Sequence, residues 1–341
     1  MRSQSGSRCG GTGYARPIEL EATDVAPATL VAVQSKIEEA MIDVKLEDFA
    51  RRQVREVLGP KNTVRRVEIL RAGPEHSVLR VTLAQPPGRL VLKVAGADTE
   101  QVNFHRTATA LSLARSAGVP VPTVLAVDTS YRSGPWSYLL QEHVDGVDWR
   151  RLRPLLAPEQ VRIAHREMAT AVLAMQSLSF TSFGEFNAAG QPTGGDLLSC
   201  LRRRAELRVP DPRRRTTFLD VLDRKSSLFA DQTRSTLCHD DLQHTNLLFR
   251  SGRAGWQLAA ELDWDKAWAG PGESDIARMS FWDDMTGAGF WEVYDSVAPP
   301  AEGRSERALV YQLLWCLEYT VSTPRHLADT ASVFRRLGIG P

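Results

Sequence analysis

The 341-residue chain sets 42 Lys and Arg against 41 Asp and Glu, with 43% apolar and 24% charged residues. It is long enough to bury a sizeable core in one large domain or two lobes, and a net charge of +1 gives no overall pull towards nucleic acid or an anionic membrane. Cys9, Cys200, Cys238 and Cys316 lack CxxC spacing, so neither a zinc pattern nor a disulfide framework is read; without a long apolar run or a signal-peptide-like opening, the cytoplasm is expected.

Residues 1 to about 25 are rich in Ser, Gly, Arg and Thr and read as a disordered tail, extended here to residue 41. A helix is predicted over 46–58. Alternating runs over 64–70, 77–83 and 89–94 follow, separated by Ala-Gly-Pro-Glu-His and Gln-Pro-Pro-Gly, which are turn chemistry. They predict a strand meander. A helix is then expected over 99–116, ended by Gly118 and Pro120, with two more strands over 124–128 and 136–143.

The pattern changes after Gly146. Val161, Ala164, Met168, Val172 and Met175 recur at helical spacing and predict a helix over 159–178. Helices are also expected over 197–207, 217–228 and from about 307 to 337. The fold class is α+β. A small antiparallel sheet lobe with one helix, 42–142, precedes a larger, mainly helical lobe, 143–341.

One segment carries chemistry, His239-Asp-Asp-Leu-Gln-His-Thr-Asn246. A strand follows it, then a polar turn, then the alternating Trp256, Leu258, Ala260 and Leu262. That is a β-hairpin signature. Folding the hairpin returns Asp263 beside Asn246, with Asp241 close by. Such a trio suits phosphoryl transfer. Mg²⁺ takes hard oxygen ligands and keeps waters and phosphates in its shell, while a further Asp orients a hydroxyl and accepts its proton.

The arrangement H-x-D-x-x-x-x-N followed by Leu-Asp263-Trp-Asp resembles the aminoglycoside phosphotransferase and choline kinase family. So do Leu90-Val-Leu-Lys93-Val, Gly118-Val-Pro-Val-Pro122, Leu139-Leu-Gln-Glu-His-Val-Asp-Gly146 and Ser274-Asp275-Ile-Ala. The resemblance runs from about Val64 to Met279. It implies a protein-kinase-like two-lobe fold and a small-molecule kinase using ATP or GTP with Mg²⁺. It implies Asp241 as catalytic base, Asn246 and Asp263 as Mg²⁺ ligands, and Lys93 on the α/β-phosphates. Glu142 (carbonyl) and Val144 (amide) would meet the adenine edge, Leu248 and Leu262 would line the nucleotide site, and His76 and Ser77 lie in the phosphate loop. His239 and Asp275 would brace the catalytic loop.

The chain departs from the family pattern at four places. Asp240 stands where the family often has Gly. Arg106-Thr107-Ala108 replaces Arg-Glu-Ala, and Glu100 lies two turns earlier on roughly the same face, a long reach to Lys93. The loop Gly73-Pro-Glu-His-Ser77 is poor in Gly, and Pro271 replaces a frequent Asp.

His239, Asp240, Asp241 and His244 also admit a metal-dependent phosphohydrolase, but no further His and Asp cluster supports one. A protein kinase would need Asp-Phe-Gly and Ala-Pro-Glu elements, which are missing. Asp283, Asp284, Glu292 and Asp295 follow the metal segment and would suit a cationic acceptor, or are surface charge. Trp282, Phe290 and Trp291 are core or pocket wall. Acceptor candidates are therefore Asp240, Asp283, Asp284 and Trp282. The expected partner is a hydroxylated small molecule, with no nucleic acid and no membrane. Aminoglycoside-like or other glycosylated antibiotics lead, choline-like amino alcohols come second, and a non-catalytic nucleotide-binding module is the other class. The sequence leaves monomer or dimer open.

Overall fold

The computed structural model describes residues 44–73, 76–97, 99, 102–253, 255–319 and 322–340. The tail expected over 1–41, and Glu100, lie outside the described residues. Residues 47–341 group into one compact unit. No described helix is long and apolar enough to cross a membrane.

Helix α1, described over residues 44–58, closes where Gly59 takes a left-handed backbone that a side chain would strain. Strands β1 (Thr63–Ala72), β2 (Ser77–Gln85) and β3 (Gly88–Gly96) form the antiparallel meander. After α2 (Phe104–Ser116), β4 (Val124–Asp128) and β5 (Trp136–Glu142) complete a five-stranded sheet in the order β1-β2-β3-β5-β4. Leu90, Leu92 and Val94 share one buried face, opposite Val81, Leu79 and Ser77 of β2. That face meets α1, whose Phe49 packs edge-on against Trp136 and Tyr138. Lys93 points the other way, with Ala95 and Leu139, towards Phe104 of α2. Helix α2 starts at 104 rather than 99 because Asn103 caps it, its side chain accepting from the Arg106 N–H.

Beyond the sheet come β6 (Val147–Asp148), α3 (Trp149–Leu152), α4 (Pro158–Ser177) and β7 (Ser179–Phe180). Next are α5 (Leu197–Arg208), α6 (Pro212–Arg224), β8 (Ser235–Cys238), β9 (Leu247–Gly252), β10 (Gly255–Glu261) and β11 (Trp268–Gly270). The chain continues through α7 (Glu273–Met279), α8 (Ala288–Val297), α9 (Arg304–Glu318) and α10 (Pro324–Leu337).

Helix α4 is the spine of this part. Its apolar stripe is buried as the spacing predicts and shares a core with Trp149, Phe249, Leu258, Trp264 and Phe290. A second core joins α5, α6 and α9 around Phe218, Trp268 and Trp315.

Two further helix limits differ from expectation, and each has a local cause. Helix α6 begins at 212 because Asp211 accepts from the Arg214 N–H ahead of Pro212. The expected helical stretch over 307–337 is two helices, the second opened by Thr323 as cap before Pro324.

Candidate active site

Strand β8 is buried throughout and paired on both sides, by β7 and β11. It delivers His239 to the end of a fully covered strand. His239 is itself buried, and its Nε2 donates to the Leu262 carbonyl at 2.8 Å. Its Nδ1 accepts from the Asp241 N–H at 3.2 Å, so the ring is neutral and protonated on Nε2. Burial holds its pKa below the usual value.

Asp275, in the first turn of α7, takes the next contacts. Its carboxylate accepts the backbone N–H of His239 at 2.9 Å and of Asp240 at 2.7 Å. Burial pushes the Asp275 carboxyl up to about 7, with Asp240 adding like charge and the two N–H donors opposing it. His239 and Asp275 thus sit beneath the loop and hold its backbone.

Asp240 lies in the left-handed region with φ of 64°. A glycine takes this conformation freely, whereas an aspartate carries about 1 kcal/mol of strain. Its buried carboxylate accepts from Arg204 at 2.7 Å and also pairs with Arg208. Burial would raise the Asp240 carboxyl, but the two guanidiniums outweigh it and hold it below the usual range. Arg204 reaches on to Glu185 and stacks over Trp268, and Arg208 reaches Glu318. Asp240 therefore ties the loop to α5.

Asp241 is 8% exposed, and its Oδ1 accepts from the Arg278 guanidinium at 2.7 Å. Burial alone would raise its pKa, but Lys266 and Arg278 more than offset that, so the carboxylate is ionised at neutral pH. Arg278 is buried between Trp282 and Trp315, at 5.3 and 5.0 Å from their ring centres.

The loop closes on Asn246, whose side-chain N–H donates to the Asp241 carbonyl at 2.9 Å. The amide oxygen is the end left for a ligand. Strands β9 and β10 then form the expected hairpin, with Glu261 opposite Leu247. The Leu262 N–H donates to the Asn246 carbonyl at 2.8 Å. Asp263, again left-handed with φ of 65°, follows directly. Lys93 comes in from β3 and donates to Asp263 Oδ1 at 2.6 Å and to Asp265 Oδ2 at 2.9 Å. Burial opposes its charge, but the two carboxylates more than restore it and keep the ammonium ionised. His76 lies buried beside this group, with Nε2 3.8 Å from Asp265. Asp263, Asp265 and His76 each bring a potential ligand atom within 4.8 Å of the others.

The remaining candidates sit as follows. Glu142 ends β5, and among the described residues the Val144 N–H has no acceptor, so it is open to a ligand at this edge. Leu248 and Leu262 are half-buried on the hairpin, and Ser77 pairs with Val94 next to the Lys93 position. Trp282 meets His244 edge-on at 5.7 Å.

The acids expected to face a cationic acceptor are each met by arginine. Asp283 pairs with Arg325, Asp284 with Arg153, Glu292 with Arg162 and Arg166, and Asp295 with Arg304. Reading the sequence missed Asp265, Arg278 and Thr107. The first lies inside the quoted Leu-Asp-Trp-Asp, and Arg278 lies one helical step (i, i+3) after Asp275 on α7.

The model of the phosphotransferase enzyme family matches residues 66–305. Comparison with curated proteins returns no match. Among solved structures, a candidate fructosamine-3-kinase from Haemophilus somnus 129PT superposes with a TM-score of 0.58 at 15% identity, covering 84% of this chain and 96% of that one. A candidate aminoglycoside phosphotransferase from Ralstonia eutropha JMP134 gives 0.58 at 15%, covering 85% and 95%. A Plasmodium vivax ethanolamine kinase gives 0.53 at 13%, covering 80% and 84%. At these identities the likeness shows a shared fold.

Proposed function

The chain belongs to the phosphotransferase enzyme family, is a small-molecule phosphotransferase with the protein-kinase-like fold, and we propose that it moves the γ-phosphoryl group of ATP or GTP to a hydroxyl of a glycosylated small molecule, as a resistance or self-resistance kinase would. One observation carries this reading. Asp241 and Asn246 of one loop, Asp263 after the hairpin and Lys93 of β3, from three places in the chain, are linked through contacts of 2.6–2.9 Å, Asn246 meeting the N–H of Leu262 next to Asp263.

In this reading, residues 42–142 hold the nucleotide. Val144 and the Glu142 carbonyl meet the base, Leu248 and Leu262 flank it, and Lys93, with the loop at His76 and Ser77, meets the phosphates. Asn246 and Asp263 would hold Mg²⁺. Their donor set fits, because the Asn246 nitrogen is committed to Asp241 and its oxygen joins a carboxylate as a hard ligand. Bound there, the ion would neutralise charge on the phosphates. Asp241 is ionised and lies one hydrogen bond from Asn246, which suits a carboxylate that orients the acceptor hydroxyl and takes its proton.

The acceptor reading rests on Trp282, next to His244. Arg278 and Arg325 both already lie 5.3 Å from its ring centre. A cationic amino-alcohol head would compete with them for that ring, whereas a sugar ring would stack beside it. Glycosylated antibiotics of low charge therefore lead, ahead of aminoglycosides and choline-like acceptors, whose ammonium groups would both compete with Arg278 and Arg325.

The test is a panel of glycosylated antibiotics and amino alcohols incubated with Mg²⁺ and either ATP or GTP. A mass gain of one phosphoryl group on a glycosylated compound is expected. Stabilisation by Mg-ATP with no phosphorylated product and no nucleotide turnover would favour a non-catalytic module instead.

A further inference from the structure

Kinases of this kind need their strand lysine held at a fixed point, because a flexible ammonium places the phosphates poorly. The position on α2 where a glutamate would be expected to do this is Thr107, which is buried. The Thr107 hydroxyl donates to Asp265 Oδ1 at 2.9 Å, and Asp265 Oδ2 accepts from Lys93 at 2.9 Å. The neighbouring residue, Arg106, donates to the Asp265 backbone carbonyl at 3.1 Å. Helix α2 thus grips the short turn Trp264–Lys266 through two adjacent side chains, one on its backbone and one on its carboxylate.

We propose that Asp265 is the positioning carboxylate for Lys93, supplied from the turn after Asp263 and anchored to α2 by Thr107 in place of a helix glutamate. This rests on the nucleotide-binding reading above. Asp263 also touches Lys93, but it is one of the two donors assigned to the cation, so Asp265 is the carboxylate of the pair that stays with Lys93, through Oδ2, while Thr107 holds its Oδ1. The arrangement has a mechanical consequence. A helix glutamate would couple α2 to Lys93 directly. Here the helix, the lysine and the turn beside Asp263 are joined at one carboxylate, so displacing α2 disturbs the phosphate contact and the adjacent cation ligand together.

The test is a double-mutant cycle on ATP affinity, measured by calorimetry at saturating Mg²⁺. Asp265→Asn is expected to weaken ATP binding about tenfold, the scale of one hydrogen bond to a charged group. Thr107→Val, which keeps the volume and removes only the hydroxyl, is expected to weaken it about threefold. In a Lys93→Met background, Asp265→Asn is expected to change ATP affinity no further, since it acts through the lysine. Asp265→Asn/Thr107→Glu, which places a carboxylate on the helix, is expected to regain most of the affinity.

Wild-type affinity in both single variants would overturn the proposal. So would an equal loss from Asp265→Asn with and without Lys93. A raised Mg²⁺ requirement with ATP affinity intact would also overturn it, making Asp265 a cation ligand. If the wild-type chain binds no ATP, it is the functional reading that fails.

Discussion

Replacing Asp240 with glycine sets two structural effects against each other. Asp240 holds φ of 64°, where an L-residue other than glycine is strained by about 1 kcal/mol. Asp240→Gly relieves that. It also removes a buried carboxylate from Arg204 and Arg208. Breaking a buried pair typically costs about 3–5 kcal/mol, because a charge is left uncompensated. The full penalty does not apply, since Arg204 keeps Glu185 and Arg208 keeps Glu318. A loss of about 3 kcal/mol against about 1 kcal/mol of relief leaves roughly 2 kcal/mol of destabilisation. For a chain of this size that lowers Tm by about 3 °C. Thermal unfolding followed by circular dichroism measures it. A Tm equal to or above wild type would refute the assignment of Asp240 as a tie between the loop and α5.

Other consequences follow from buried charges near the site. Arg278→Met removes the guanidinium from Asp241 and is expected to lower kcat at least tenfold while leaving ATP affinity within about threefold. Unchanged kcat would show that Arg278 does not position the carboxylate. Glu261 is buried, one of its carboxyl oxygens has no partner, and burial raises it to about 8, with Asp275 adding like charge. The unfolded group titrates near 4.5, so the folded chain holds a proton that the unfolded chain lacks between those values. Its contribution to stability is complete below about pH 4.5 and falls by about 1.4 kcal/mol per pH unit until it is lost near pH 8. Glu261→Gln is expected to flatten the stability profile by that slope in melts from pH 5.5 to 8, and parallel profiles for the two proteins would contradict this.

Much of the fold is legible in the sequence because it is written in local periodicity. The α4 stripe from Val161 to Met175 repeats at 3.6 residues, and the meander alternates at two. The hairpin that returns Asp263 to Asn246 is legible for the same reason, through the polar turn between two alternating runs. Helix starts were misplaced where single polar side chains decide them, at Asn103 and Asp211.

The electrostatic frame was not legible. The pairing of Lys93 with Asp265 spans 172 positions, and that of Arg204 with Asp240 spans 36. No local pattern reports such partners. The acids after Asp263 looked available to a cationic acceptor because sequence spacing cannot show that Arg153, Arg162, Arg166, Arg304 and Arg325 reach them. The strain at Asp240 is equally hidden, although its place beside Asp241, where the family often has Gly, marks it as unusual.

In the proposed reaction Asp241 acts on the acceptor while the nucleotide is held by other groups. Asp241→Asn keeps the shape and the link to Asn246, which runs through the backbone carbonyl. Mg²⁺-dependent ADP release, with and without the acceptor found in the panel, should be measured alongside ATP affinity. A fall in turnover of about a hundredfold or more is expected, with ATP affinity within about threefold of wild type and an unchanged fold. Near-wild-type turnover in the folded variant would contradict that role of Asp241.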